Sequence, residues 1–163
     1  MATATAISLA EYLRTSYEWE PEWVNGELVE REMSDVSHCD AQLSLLTLLH
    51  GHGAWAGSYV RLIMKGCVRI PDVMAFHDRP VGDYPSQPPM VVAEVLSPGD
   101  RIADLKTKCR EYAAFGIPHI WVVDPADRSL AIYGPMGLMP VSQLGLPEYQ
   151  ASFNADDVFG PAD

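Results

Sequence analysis

Cysteine is scarce in this chain, long apolar runs are missing, and acids outnumber bases two to one; each shortage removes a class of function. The three cysteines, Cys39, Cys67 and Cys109, are odd in number and too far apart for a CxxC zinc or redox pair. Buried free thiols are expected instead. The longest apolar stretches, such as Met90 to Ala93 and Ile120 to Val123, fall far short of the roughly 20 residues that cross a bilayer. No membrane span is expected. Met1 to Ala10 has no basic residue ahead of its mild apolar stretch and no long hydrophobic segment behind it, so it does not read as a secretory signal, and a cytoplasmic location is expected. With 11 Lys and Arg against 22 Asp and Glu, the formal charge of −11 repels a polyanion at long range. A nucleic-acid partner therefore requires local positive charge. Arg101, Lys106, Lys108 and Arg110 supply it within ten positions, while much of the acid excess lies in Glu11 to Glu32 and Asp156 to Asp163. Arg101, Lys106 and Arg110 are the candidate nucleic-acid contacts.

What is present suits one α/β domain over residues 1–163, since 163 residues at 48% apolar composition can fill a core of ordinary size. Ser8-Leu9-Ala10-Glu11 fits a capping box and predicts a short helix to about Ser16, packed as a lid or edge element. Asn25-Gly26 between Trp23-Val24 and Glu27-Leu28-Val29 predicts a β-hairpin, so residues 1–33 form an N-terminal helix and hairpin. His38 to about His50, with leucines at 43, 45, 46, 48 and 49, predicts a buried helix. Strands are expected over Tyr59–Met64 and Val68–Phe76, turning at Lys65-Gly66, and again over Met90–Leu96. The four prolines of His77–Pro89 make that stretch a loop. Arg101–Phe115 carries apolar residues at 102, 105, 109, 112 and 113, an amphipathic helix closed by Gly116. His119–Val123 and Ser129–Tyr133 flank Asp124-Pro125-Ala126-Asp127 as a second hairpin. Residues 134–163, rich in Gly and Pro, read as a tail that covers an edge and ends in a short turn near Val158 and Phe159.

Asp72 and Glu94 each interrupt an apolar strand, and such acids call for a cation or a hydrogen-bond explanation. If their strands pair, the two carboxylates share a face and repel by a few kcal/mol unless a counter-ion joins them. A hard divalent ion meets that need, and magnesium (or manganese) is held by one or two carboxylates plus water and phosphate. Lys108 lies four residues after Asp104 and four before Tyr112, on one edge of the apolar stripe. Lys106 flanks the other edge, and periodicity does not choose between them.

Pro71-Asp72, Glu94-Val95-Leu96-Ser97-Pro98, Asp104-x-x-x-Lys108-x-x-x-Tyr112 and Gly116-Ile117-Pro118-x-x-Trp121-x-Val123-Asp124-Pro125 together resemble the Uma-type family of the PD-(D/E)XK nuclease superfamily. The resemblance extends to Val24-Asn25-Gly26-Glu27-Leu28, His38 and Leu146-Pro147. It implies a restriction-endonuclease-like core, a central mixed β-sheet flanked by helices, and a metal-dependent endonuclease acting on nucleic acid, DNA in particular, as a homodimer. It also implies Asp72 and Glu94 as catalytic metal ligands and Lys108 as the catalytic lysine. The superfamily pattern has its lysine two positions after the second acid, where this chain has Leu96, so the helix supplies it instead. Glu27, after the hairpin turn, is a candidate third acid, and His38 starts the helix that borders such sites. Each of these two also suits a structural cap or a surface group. The alternative function is a nuclease-fold binding or regulatory module without turnover.

Overall fold

The computed structural model describes residues 6–163; the first five residues of the N-terminal stretch, included in the signal and domain readings above, lie outside them. Helix α1 (Leu9–Arg14) is capped by Ser8, whose Oγ accepts from the Glu11 N–H at 3.1 Å. Strands β1 (Glu22–Val24) and β2 (Glu27–Val29) form the expected hairpin over Asn25 and Gly26, with φ of 50° and 92°. Asn-Gly suits that turn because both central positions need positive φ. Helix α2 (Val36–Gly51) starts two residues ahead of His38, because the Asp35 side chain caps it by accepting from the His38 N–H at 2.8 Å.

The prediction of a buried helix is corrected at α2. His38, Ala41, Leu45 and Leu49 are buried, whereas Leu43 is 64% exposed and Cys39 is exposed, against the expectation of three buried thiols. The helix has one sheet to pack on and buries one stripe. Cys67 and Cys109 are buried as expected.

Strand β3 (Trp55–Gly57) carried no sequence signal, and it is followed by β4 (Leu62–Met64), β5 (Cys67–Arg69) and β6 (Val73–Phe76). The Val68–Phe76 run, read as one strand, is thus two. Pro71 lacks the amide N–H a ladder requires, and the chain changes sheets there, leaving Asp72 at the joint. Then come β7 (Val91–Val95), α3 (Ile102–Phe115) closed by Gly116 at φ 95°, β8 (His119–Asp124) and β9 (Ser129–Gly134). The tail is more regular than a covering segment. It forms β10 (Gly137–Val141), a hairpin of β11 (Gln143–Leu146) and β12 (Ala151–Asn154), and α4 (Ala155–Phe159) with an Asn154/Asp157 capping box.

Six strands in the order β10-β9-β8-β7-β6-β3 make the central sheet, in which β7 and β8 are parallel and the other pairs antiparallel. It is the mixed sheet of an α/β fold. A second sheet, β2-β1-β5-β4, joins the N-terminal hairpin to the core. One face of the central sheet packs on α2 and the tail, through Leu45, Leu49, Val91, Ala93, Trp121 and Phe153. The other packs on α3 and the second sheet, through Met74, Val92, Leu105, Cys109, Tyr112 and Ile120. Because side chains alternate along a strand, Val91, Ala93 and Val95 face α2 while Val92 and Glu94 face α3. No described helix is long and apolar enough to cross a membrane.

Candidate active site

A strand position, Glu94 on β7, and the residue just ahead of β6, Asp72, bring the acids together. Strands β6 and β7 pair with Val73 opposite Ala93, and that register, continued by one residue, sets Asp72 beside Glu94 on the α3 side. Both residues are buried, at 7% and 6% exposure, on the floor of a cleft of about 280 Å³. Asp72 Oδ2 accepts from the Val95 N–H at 2.8 Å, and its Oδ1 accepts from Arg31 Nη2 at 3.2 Å. Glu94 Oε1 accepts from the Tyr112 hydroxyl, and its Oε2 lies 3.6 Å from Lys108 Nζ. The Glu94 carboxyl is raised to about 7: burial and the charges of Asp72 and Glu22 push it up, against the pull of Lys108 and the Tyr112 hydrogen bond.

Helix α3 aims two groups at Glu94 from positions one turn apart. Leu105, Cys109 and Tyr112 anchor its buried stripe, which puts Lys108 on the edge facing the acids. Burial works against the ammonium, but the charges of Glu94, Glu22 and Asp72 outweigh it and hold the Lys108 pKa above the usual lysine range. Lys106 lies elsewhere. With Arg110 it lines a separate depression against Tyr133, Met136 and Leu138, while Arg101 and Lys108 line the acidic cleft. The basic cluster seen in sequence is therefore divided between two surfaces.

Sequence reasoning overlooked Glu22. It is 1% exposed, accepts from Arg69 Nη1 and the Ile70 N–H at 2.9 Å each, and lies 3.4 Å from Lys108 Nζ. Arg69 also forms a two-pronged pair with Glu111, at 2.6 and 2.9 Å. A cation inside the apolar run Val68-Arg69-Ile70 was the available signal, since a buried guanidinium demands an acid. Glu27, the candidate third acid, is exposed on β2 and does not line the cleft. The acid that approaches the site is Glu22, on the other strand of the same hairpin. Cross-strand pairing sets Glu27 against Val24, two residues along from Glu22.

His38 does reach the cleft. Its Nε2 lies 3.3 Å from Asp72 Oδ2, and its Nδ1 is buried without a hydrogen-bond partner among the described residues. Burial lowers the imidazole pKa, but the contact with Asp72 and its charge outweigh that and leave it raised. Three of the other four histidines are engaged elsewhere. His52 Nδ1 is 2.8 Å from Leu48 O, while His77 and His119 lie within hydrogen-bond distance of Tyr149 and Glu148 in the tail.

Among the described residues no group of three or more His, Cys, Asp or Glu side chains is arranged as a metal cage. Closed zinc and calcium sites are thus not what these side chains offer. Asp72 and Glu94 nevertheless fit a hard divalent ion of the magnesium type, which takes one or two carboxylates and completes its shell with water and phosphate oxygens. Their burial and mutual repulsion are the conditions such an ion relieves.

The sequence profile of a family described as "Uma2: Putative restriction endonuclease" matches residues 9–152. The chain belongs to the Uma2 family. A crystal structure of a "putative nuclease belonging to DUF820" from Anabaena variabilis ATCC 29413 matches with a TM-score of 0.79 and 18% sequence identity, covering 94% of this chain and 97% of that one. The two share the fold. Comparison with curated proteins gave no match. In this Uma2 chain the position two residues after Glu94 is the half-buried Leu96, and the ammonium near Glu94 comes from α3 instead.

Proposed function

We propose that the chain is a divalent-metal-dependent endonuclease of the cytoplasm that hydrolyses phosphodiester bonds in nucleic acid, DNA in particular, and works as a symmetric homodimer. The observation that carries this reading is the meeting of two buried acids, Glu94 on β7 and Asp72 just ahead of β6, with one lysine, 3.6 Å from Glu94, in an open cleft. Asp72 and Glu94 are the residues that would hold magnesium or manganese. Bound there, the ion supplies polarisation of the phosphoryl group and a lowered pKa for an attacking water.

The chain's own groups divide the remaining work. The Val95 N–H and His38 fix the orientation of Asp72, and Tyr112 fixes that of Glu94. Glu22, anchored by Arg69 and the Ile70 N–H, offers Lys108 a second acceptor, which holds the ammonium beside the acids independently of Glu94. Lys108 then positions the water and stabilises charge that develops on the phosphoryl oxygens. Arg101, at the rim of the cleft, contacts the polynucleotide backbone, and Lys106 with Arg110 does so from the second depression.

A nuclease-fold binding module without turnover is the competing reading, favoured by the slightly closer approach of Lys108 to Glu22 than to Glu94. Incubation of purified protein with mixed DNA and RNA separates the two. Cleavage with magnesium or manganese that stops on adding chelator supports the endonuclease. Retention of nucleic acid with no cleavage under either metal supports the binding module.

A further inference from the structure

One cation in the cleft has no part in the chemistry described so far. Arg31 belongs to the irregular connection 30–35 between β2 and α2. Its Nη2 donates to Asp72 Oδ1 at 3.2 Å, its guanidinium lies 4.9 Å from the Tyr59 ring centroid, and its side chain is 16% exposed. The two oxygens of Asp72 are not equivalent. Oδ2 is held by the amide of a central strand and approached by a 3% exposed histidine, neither of which can withdraw without disturbing the core. Oδ1 has an arginine on a loop, a partner that can leave.

An ion placed between the acids therefore meets the two oxygens that now face Arg31 and Lys108. Lys108 can retire to Glu22. Among the described residues the other donors of Arg31 meet no second acid, and a guanidinium beside a divalent ion is strongly repelled. Its free donors form a planar fork that matches phosphate oxygens. The loop also reaches across the site, because the Glu32 carboxylate rests against Gly99 so closely that a Cβ there would come within 2.6 Å of Glu32 Oε2. The connection thus bridges to the segment that leads into α3, and Arg31, next in sequence to Glu32, lines the cleft.

We propose that Arg31 is the resident counter-cation of Asp72 in the metal-free protein and moves to a phosphate oxygen of the substrate when the metal takes Oδ1. The 30–35 connection acts as a strap that exchanges one cation for another, so that the site is charge-compensated before metal arrives and phosphate-binding afterwards. This rests on the reading of Asp72 as a metal ligand, and the test separates the two claims.

Manganese is titrated by calorimetry into wild type, Arg31→Gln and Asp72→Ala without nucleic acid, and affinity for a phosphorothioate DNA duplex is then measured with manganese present. Arg31→Gln should bind manganese about fivefold or more tightly than wild type, having lost the competitor, and should bind the duplex at least about fivefold more weakly. A merely structural arginine would weaken both, because Asp72 would lose its orientation. Manganese binding by Arg31→Gln that is equal to or weaker than that of wild type overturns the proposal, provided Asp72→Ala abolishes it. If Asp72→Ala binds as wild type does, the metal reading itself fails, and the exchange with it. Should Arg31→Gln not fold, the wild-type guanidinium reports instead: nuclear magnetic resonance should show its Nε–Cζ rotation slow without metal and faster on saturation with magnesium, and unchanged rotation would overturn the exchange.

Discussion

Replacing Lys108 with methionine removes the ammonium that Glu22 and Glu94 share, and the geometry sets how the loss of stability varies with pH. Methionine keeps an unbranched, flexible stem, so packing changes little. Nζ lies 3.4 Å from Glu22 and 3.6 Å from Glu94, with side-chain exposures of 21% for the lysine and 1% and 8% for the acids. Glu22 retains Arg69 and the Ile70 N–H, whereas among the described residues Glu94 retains Tyr112 alone. Removing one partner of a fully buried pair costs roughly 3–5 kcal/mol. Partial exposure of Lys108 reduces the expected loss to about 2–3 kcal/mol where Glu94 is ionised. Burial raises the Glu94 carboxyl from the ordinary 4.5 to about 7. An acid raised in the folded state opposes folding as it ionises, so its cost is absent below about 4.5, grows up to about 7 and persists above. Without Lys108 the carboxyl rises further. The variant and wild type should therefore differ least near pH 6, where Glu94 keeps its proton in both. Above pH 7 the gap should widen by about 1.4 kcal/mol for each tenfold gain in proton affinity. Urea denaturation in chelator at pH 6 and pH 8.5 reads the difference. An equal loss at both values, or none at either, would refute the shared-ammonium geometry.

In a cleaving preparation, Lys108→Met should leave metal and DNA binding nearly intact while lowering the single-turnover rate on the order of 100-fold or more. Lys106→Met should instead weaken DNA binding and reduce the salt slope by about one, because each neutralised phosphate releases roughly one counter-ion; the opposite assignment of effects would exchange the roles of the two lysines. Alkylation at pH 8 followed by mass spectrometry should label Cys39 alone, because burial pushes Cys67 and Cys109 up to about 11 and 12. Rapid native labelling of either buried thiol would contradict the packing of α3. Light scattering at micromolar concentration should report a dimer, and a mass near the 18.0 kDa of one chain would reject the proposed assembly.

Local signals were legible where one residue type has one mechanism. Asn25-Gly26 marked the first hairpin, Ser8 the start of α1 and Gly116 the end of α3, since each supplies a cap or a positive φ its neighbours cannot. The strand acids were legible because Asp72 and Glu94 stand out against valines. Their pairing was not, because register depends on partners distant in sequence. Pro71 was visible, yet it gave no indication that β5 and β6 would enter different sheets. Helical spacing left Lys106 and Lys108 equivalent until burial of Leu105, Cys109 and Tyr112 oriented α3. Glu22 was hidden among the acids Glu18 and Glu20, and Arg31 lies on a loop with no periodicity to read. The leucines of α2 misled in the other direction, since an apolar side chain at Leu43 remains exposed where no described element covers it.

The central claim, that Asp72 and Glu94 form one divalent-metal site, is tested most directly by titrating magnesium into wild type, Asp72→Ala and Glu94→Ala by calorimetry at pH 8, with circular dichroism to verify folding. Weak binding in wild type that disappears in both folded variants is the predicted result. Equal binding in all three would contradict it.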